Sequence, residues 1–285
     1  IYIESQLEMV EIDSFYWNLS RAFIGMSTFL CTIGPVCNFI IVLTTIKTKS
    51  LRATCNILIA LCAGGDIFAQ FGTLIFQVPI LSGIHVEMNT ETCAVVMFLP
   101  ILGITVGIVC VLLLGLDRMF SVLLSMKYRV VDKFYYHSVY YHQLGFSLFF
   151  IIFRLLRRGM CEIVTPFAQG MNYFTFPILI MNFASAVIYF TTWASLKMRA
   201  DSKLMKRIVK SLLIIVTVDV VGWTITPLAS HLILHSSLDP SQKFAWTYFC
   251  VNFINIALAS KLLIYYTTRR DAIFIIVIQN ISAQN

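Results

Sequence analysis

The sequence predicts an all-α membrane protein, a seven-transmembrane helix bundle with the N-terminus outside and the C-terminus cytoplasmic. Three observations predict it. Hydrophobic residues make up 59% of the 285-residue chain, 12% is charged and the mean hydropathy is +0.83, whereas about a quarter of an ordinary soluble domain is charged. Seven long runs hold one charged residue or none. Basic residues gather in alternate connections between those runs, as cytoplasmic loops require.

The runs cover 22–46, 53–84, 94–116, 134–153, 170–196, 211–238 and 244–268, each near or above the roughly 20 apolar residues that cross a bilayer as a helix. The second holds only Asp66, the sixth only Asp219 and the seventh only Lys261. The third is followed directly by Asp117 and Arg118, so this pair sits where a spanning helix leaves the membrane. The fourth is the least regular. Its start, YYHSVYYHQ at 135–143, is interfacial in character, and only 144–153 is strongly apolar, which suits a short, tilted helix. The runs are too continuous for amphipathic surface helices and lack the alternation of a membrane barrel. The expected organisation is an extracellular segment at 1–21, a seven-span domain at 22–268 and a short cytoplasmic tail at 269–285.

Charge sets the orientation. The connection after the first run carries Lys47, Lys49 and Arg52; Lys127, Arg129 and Lys133 follow the third; Lys197, Arg199, Lys203, Lys206, Arg207 and Lys210 follow the fifth. These sides are expected to be cytoplasmic. Glu4, Glu8, Glu11 and Asp13 precede the first run, and Glu87 and Glu91 follow the second, marking the outside. Arg154, Arg157 and Arg158 are the exception, on the outer side of the fourth run. The net charge of +7 is thus explained by cytoplasmic loops, and no nucleic-acid partner is expected. An acidic segment ahead of a first run longer than a signal core is not the pattern of a cleavable signal peptide.

Cys31, Cys37, Cys55, Cys62, Cys110 and Cys250 lie in or beside apolar runs and read as small buried residues. Cys93 stands 25 residues before Arg118, about 37 Å of helix, and Cys161 follows the outer end of the fourth run. Both are expected in an oxidising compartment, which favours a disulfide over two free thiols. The sequon NLS at Asn18 is expected outside and open to glycosylation, whereas NIS at Asn280 falls on the cytoplasmic side, where that chemistry does not occur.

Seven runs, Cys93 at the top of the third and GLDRMFSVLLSMKY at its bottom together resemble the rhodopsin-like G-protein-coupled receptors. GLDR followed by SVLLSMKY is similar to the nematode serpentine chemoreceptors, particularly the Srsx class. The resemblance implies a Cys93–Cys161 disulfide, and functional positions at Asn38 (GPVCN), Asp66, Asp117, Arg118, Tyr189, Trp223 (VGW) and Tyr265. In such receptors the acid restrains the neighbouring arginine at rest, and agonist frees that arginine to meet the C-terminal helix of a Gα subunit. An arginine held at a lipid–water boundary can exchange one hydrogen-bonding partner for another at modest cost; an interfacial snorkelling pair is the plainer alternative. Asp117, Arg118, Tyr189 and Tyr265 would form the coupling face. The implied partners are a small-molecule ligand, a heterotrimeric G protein and membrane lipid, with no cofactor; the implied location is the plasma membrane, with sensory-neuron cilia as one candidate place. Two motifs depart from the family pattern. The seventh-span Asn-Pro-x-x-Tyr reads KLLIY at 261–265, and the sixth-span proline is Pro227, two residues later than usual.

The resemblance puts a ligand pocket among Pro100, Ile104 and Thr105 of the third run, Asn172 and Thr175 of the fifth, Trp223 and Thr226 of the sixth, and Val251 and Asn255 of the seventh. Pro100 stands where amine receptors carry Asp, which argues against a biogenic amine. A mostly apolar lining with a few hydroxyls and amides suits a small volatile or amphipathic molecule; plain helix-on-helix packing is the alternative at each position. The resemblance also sets Asp66 and Lys261 across a hydrated cavity where related receptors hold sodium, so the lysine would replace the ion. Asp219 lies four residues before Trp223, on nearly the same helix face, and is expected to complete an acid–base–acid cluster beside Asn38. An unpaired charge in the bilayer costs about 2.5–3.5 kcal/mol or more. Independent snorkelling is the alternative.

Two other functions fit parts of this pattern. Lys261 is a lone lysine in the seventh run, but an opsin's Schiff-base lysine would match Asn255. A transporter or ligand-gated channel would use Asp66, Asp219 and Lys261, yet no inverted repeat or matched pair of broken helices is visible. No metal-spaced cluster points to an enzyme, and His231 and His235 are expected at the outer edge.

Overall fold

The computed structural model describes residues 14–48, 54–83, 90–123, 171–199 and 203–282, all but a few of them helical. Among these described residues six helices follow in order: α1 (Ser14–Lys47), α2 (Thr54–Ser82), α3 (Thr90–Leu123), α4 (Met171–Arg199), α5 (Lys203–His235) and α6 (Pro240–Ser282). They carry the first, second, third, fifth, sixth and seventh runs. The fourth run, at 134–153, lies outside the described residues, as do Cys161 and the first thirteen residues.

Among the described residues five segments are long and apolar enough to cross a membrane: Phe15–Lys47, Cys55–Ser82, Phe98–Leu123, Thr217–His235 and Pro240–Ile264, with a shorter apolar stretch at Leu179–Ser195. Most helices outrun their apolar runs. α3 continues past Arg118 to Leu123, and α6 continues through 269–282, the segment read as tail. Pro35, Pro79, Pro100 and Pro227 lie inside helices, where neighbouring helices can satisfy the freed carbonyls. α2 stops at Gly83, whose φ of 67° is one that L side chains rarely adopt.

Each helix packs on its neighbours in the chain, and α6 returns to α1, so the described helices close a ring. Burial differs from that of a soluble protein in what is exposed and in how many polar groups are enclosed. Large apolar side chains such as Phe29, Phe183, Phe190 and Leu263 are exposed, while Asn38, Asp66, Gln70, Asn182, Asp219, Asn252, Asn255 and Lys261 are buried. This is the arrangement for a chain whose outer solvent is hydrocarbon: lipid takes the apolar groups, and polar groups must find one another. Small residues set the closest approach. A Cβ on Gly65 would lie 2.6 Å from the Gly103 carbonyl oxygen and 3.1 Å from the Gly107 amide nitrogen, so α2 and α3 meet backbone to backbone. Below that contact Cys55, Leu58, Cys62, Cys110, Val111, Leu113, Leu114 and Tyr189 form an apolar core.

Candidate functional site

Three charged side chains meet inside the ring. Lys261 of α6 donates from Nζ to Asp66 Oδ2 of α2 at 2.6 Å, and the same nitrogen lies 3.1 Å from Asp219 Oδ2 of α5. The second contact is within ion-pair range but off the line of a hydrogen bond, and among the described residues neither Asp219 oxygen has a hydrogen-bond partner. The side chains are 9%, 4% and 5% exposed for Lys261, Asp66 and Asp219, so the attraction is little screened by water. Two acids and one base leave the cluster formally one negative charge in excess. It joins three helices that are not all neighbours in sequence.

The cluster borders a small cavity lined by Asp66, Ala69, Ile104, Gly107, Ile108, Val111, Asn182, Asp219, Trp223 and Lys261, with room for about one water molecule. Ile104 and Trp223 are thus the expected pocket residues that share a space with the charges. The others do different things. Pro100 packs against Gly72; the Thr105 hydroxyl donates to the Ile101 carbonyl of its own helix at 2.8 Å; Thr226 donates to the Cys250 carbonyl at 2.7 Å, tying α5 to α6; Asn255 donates to Ser27 Oγ at 2.6 Å, tying α6 to α1. Val251 is half-buried on α6. Asn172 and Thr175 are in α4, and their side chains lie outside the described residues.

Asn38 donates to the Leu258 carbonyl at 3.3 Å, bracing α1 against α6 one turn before Lys261. At the far end of α3, Arg118 donates from Nε to Asp117 Oδ2 at 2.8 Å, and its Nη2 lies 2.5 Å from the same oxygen. Asp117 is fully enclosed while Arg118 keeps 16% of its side chain exposed. Tyr189 donates its hydroxyl to the Val111 carbonyl at 3.2 Å, and its ring lies against Gly115, so it packs on α3. Tyr265 and Cys93 belong to α6 and α3, but their side chains, like Cys161, lie outside the described residues. Asn18 is exposed in the first turns of α1, a helical setting.

Two site residues escaped sequence reasoning. Cys62 accepts from Lys261 Nζ at 3.3 Å and sits 3.7 Å from the Gly107 carbonyl. Asn182 lines the cavity, and its Nδ2 has no hydrogen-bond partner among the described residues. Its signal was present: it is a lone amide in the apolar stretch ILIMNFAS, and intramembrane polar residues face the bundle interior. Among the described residues no group of three or more His, Cys, Asp or Glu is arranged to hold a metal.

A family model described as serpentine type 7TM GPCR chemoreceptor Srsx matches residues 31–271, a range that takes in α2 to α5 whole, most of α1 and α6, and Asp66, Asp117, Arg118, Asp219 and Lys261. Among curated proteins, none matches the chain.

Proposed function

The chain belongs to the Srsx family of serpentine seven-transmembrane chemoreceptors, a multi-pass membrane protein and a receptor by family, and we propose that it binds a small extracellular ligand and activates a heterotrimeric G protein. The orientation goes with this reading: N-terminus outside, C-terminus and the Asp117–Arg118 end of α3 in the cytoplasm, with Cys93 bridged to Cys161 at the outer mouth.

The observation that carries the proposal is the Asp117–Arg118 pair. A buried carboxylate holding a partly exposed guanidinium is a releasable restraint, since the arginine can trade one acceptor for another without passing through a desolvated, unpaired state. The ligand enters from the outer halves of α3, α5 and α6, reaching toward Ile104 and Trp223. Beneath it the Asp66–Lys261–Asp219 cluster holds α2, α5 and α6 together at rest. A change at Trp223 is one turn from Asp219, so ligand binding bears directly on that tie.

Surface staining of cells expressing the chain, followed by ligand screening with a promiscuous Gα subunit, tests the reading. A ligand-dependent G-protein response is expected. Ligand-gated ion current at the surface without any G protein would overturn it in favour of a channel.

A further inference from the structure

His231 and His235 are not used by the receptor reading. They stand four residues apart in the last turns of α5, a spacing that puts both on one helix face. Their ring centroids are 4.4 Å apart and the planes are nearly perpendicular, so the two imidazoles meet. Both residues are exposed and are not core packing. The stacked rings of Trp17 and Phe244 join the start of α1 to the start of α6, which places the α5–α6 turn and this histidine pair at the α1-start end of the bundle.

We propose that His231 and His235 form a binding site for a zinc-class divalent ion. A tetrahedral zinc holds each nitrogen at about 2.0–2.1 Å, so two ligating nitrogens need to approach to roughly 3.3 Å. Rings whose centres are already 4.4 Å apart reach that separation by side-chain rotation alone. Imidazole ligands select zinc, copper and nickel over magnesium and calcium, which require oxygen. The site also lies where α5 ends, and the carbonyl end of a helix favours a cation. Lys243 already uses this feature, donating to the Leu234 carbonyl at 3.1 Å, and Asp239 follows four residues after His235 in the connecting turn. With no third protein ligand grouped there among the described residues, water completes the coordination. That makes the ion exchangeable and its affinity modest. Its effect is to cross-link the final turn of the helix that carries Asp219 and Trp223, holding that turn in its helical state.

The test is calorimetric titration of zinc chloride into the full chain, purified in detergent through an affinity tag that contains no histidine, with magnesium chloride as the control. One zinc site per chain is expected, with no magnesium uptake and with zinc affinity reduced about tenfold or more in both H231Q and H235Q, a tenfold change being about 1.4 kcal/mol. Melting temperature without zinc checks that both variants retain the fold. No zinc uptake by the native chain, unchanged affinity in both variants, or a loss confined to one of them would each overturn the paired site.

Discussion

Replacing Lys261 by Met is the sharpest perturbation of this structure. The side chain is nearly isosteric without its ammonium, so what is lost is the charge shared by Asp66 at 2.6 Å and Asp219 at 3.1 Å. Removing one partner of a buried pair costs about 3–5 kcal/mol, and here two enclosed carboxylates are left facing each other. Against a total stability of roughly 5–15 kcal/mol, K261M should lose most of its surface expression and melt well below the native chain. The acids should differ. D219N leaves the aligned Asp66–Lys261 hydrogen bond and removes the excess negative charge, so it should be close to native or more stable. D66N leaves the lysine the misaligned Asp219 contact and the weakly accepting Cys62 sulfur and should be clearly worse. Combining D66N with K261M should recover part of the loss, with a coupling of about 1–3 kcal/mol in melting of the detergent-solubilised protein. Because the ammonium fills the charged site, agonist affinity should be the same in sodium and in a bulky organic cation. Additivity of D66N and K261M within about 0.5 kcal/mol, or sodium-dependent affinity, would refute the reasoning.

R118A should abolish G-protein signalling while surface delivery and ligand binding persist, since Arg118 is at the opposite end of α3 from the proposed pocket; retained signalling in a cell assay would remove its proposed coupling role. Cys93→Ser and Cys161→Ser should each lower surface expression, and the double variant should be no worse than either single one, with strictly additive losses counting against the bridge. G65A should cost about 1–3 kcal/mol, because its Cβ would strike the α3 backbone at Gly103. G64A, which meets nothing within 4 Å, should be neutral or gain up to about 1 kcal/mol of helix propensity; equal melting of the two would deny the close α2–α3 approach.

The helices were legible because crossing a bilayer is a local requirement. A stretch of some 20 apolar residues satisfies it wherever the stretch sits in the chain, and each of the six runs that fall among the described residues is found in a helix. Helix ends were less legible: α6 runs on through RRD at 269–271 to Ser282, since charge ends a span without ending a helix. Asp66, Asp219 and Lys261 stood out singly, because a charge in hydrocarbon must find a partner.

What the one-dimensional chain by itself determined is therefore the fold class, the set of charges needing partners and, through its motifs, the family. The tertiary structure decided who meets whom. Whether the amide of Asn255 or the hydroxyl of Thr226 faces a ligand or a neighbouring helix depends on how each helix is rotated about its axis, and that rotation is set by packing across the whole ring. Both are spent on helix ties to Ser27 and Cys250. Asn182, a polar residue in a plain apolar stretch, is turned onto the charged cavity, and Cys62, indistinguishable in sequence from its buried fellow cysteines, is the one that touches Lys261. Helix rotation carries no local signature, because a residue's own neighbours in the chain do not say which other helix will stand opposite it.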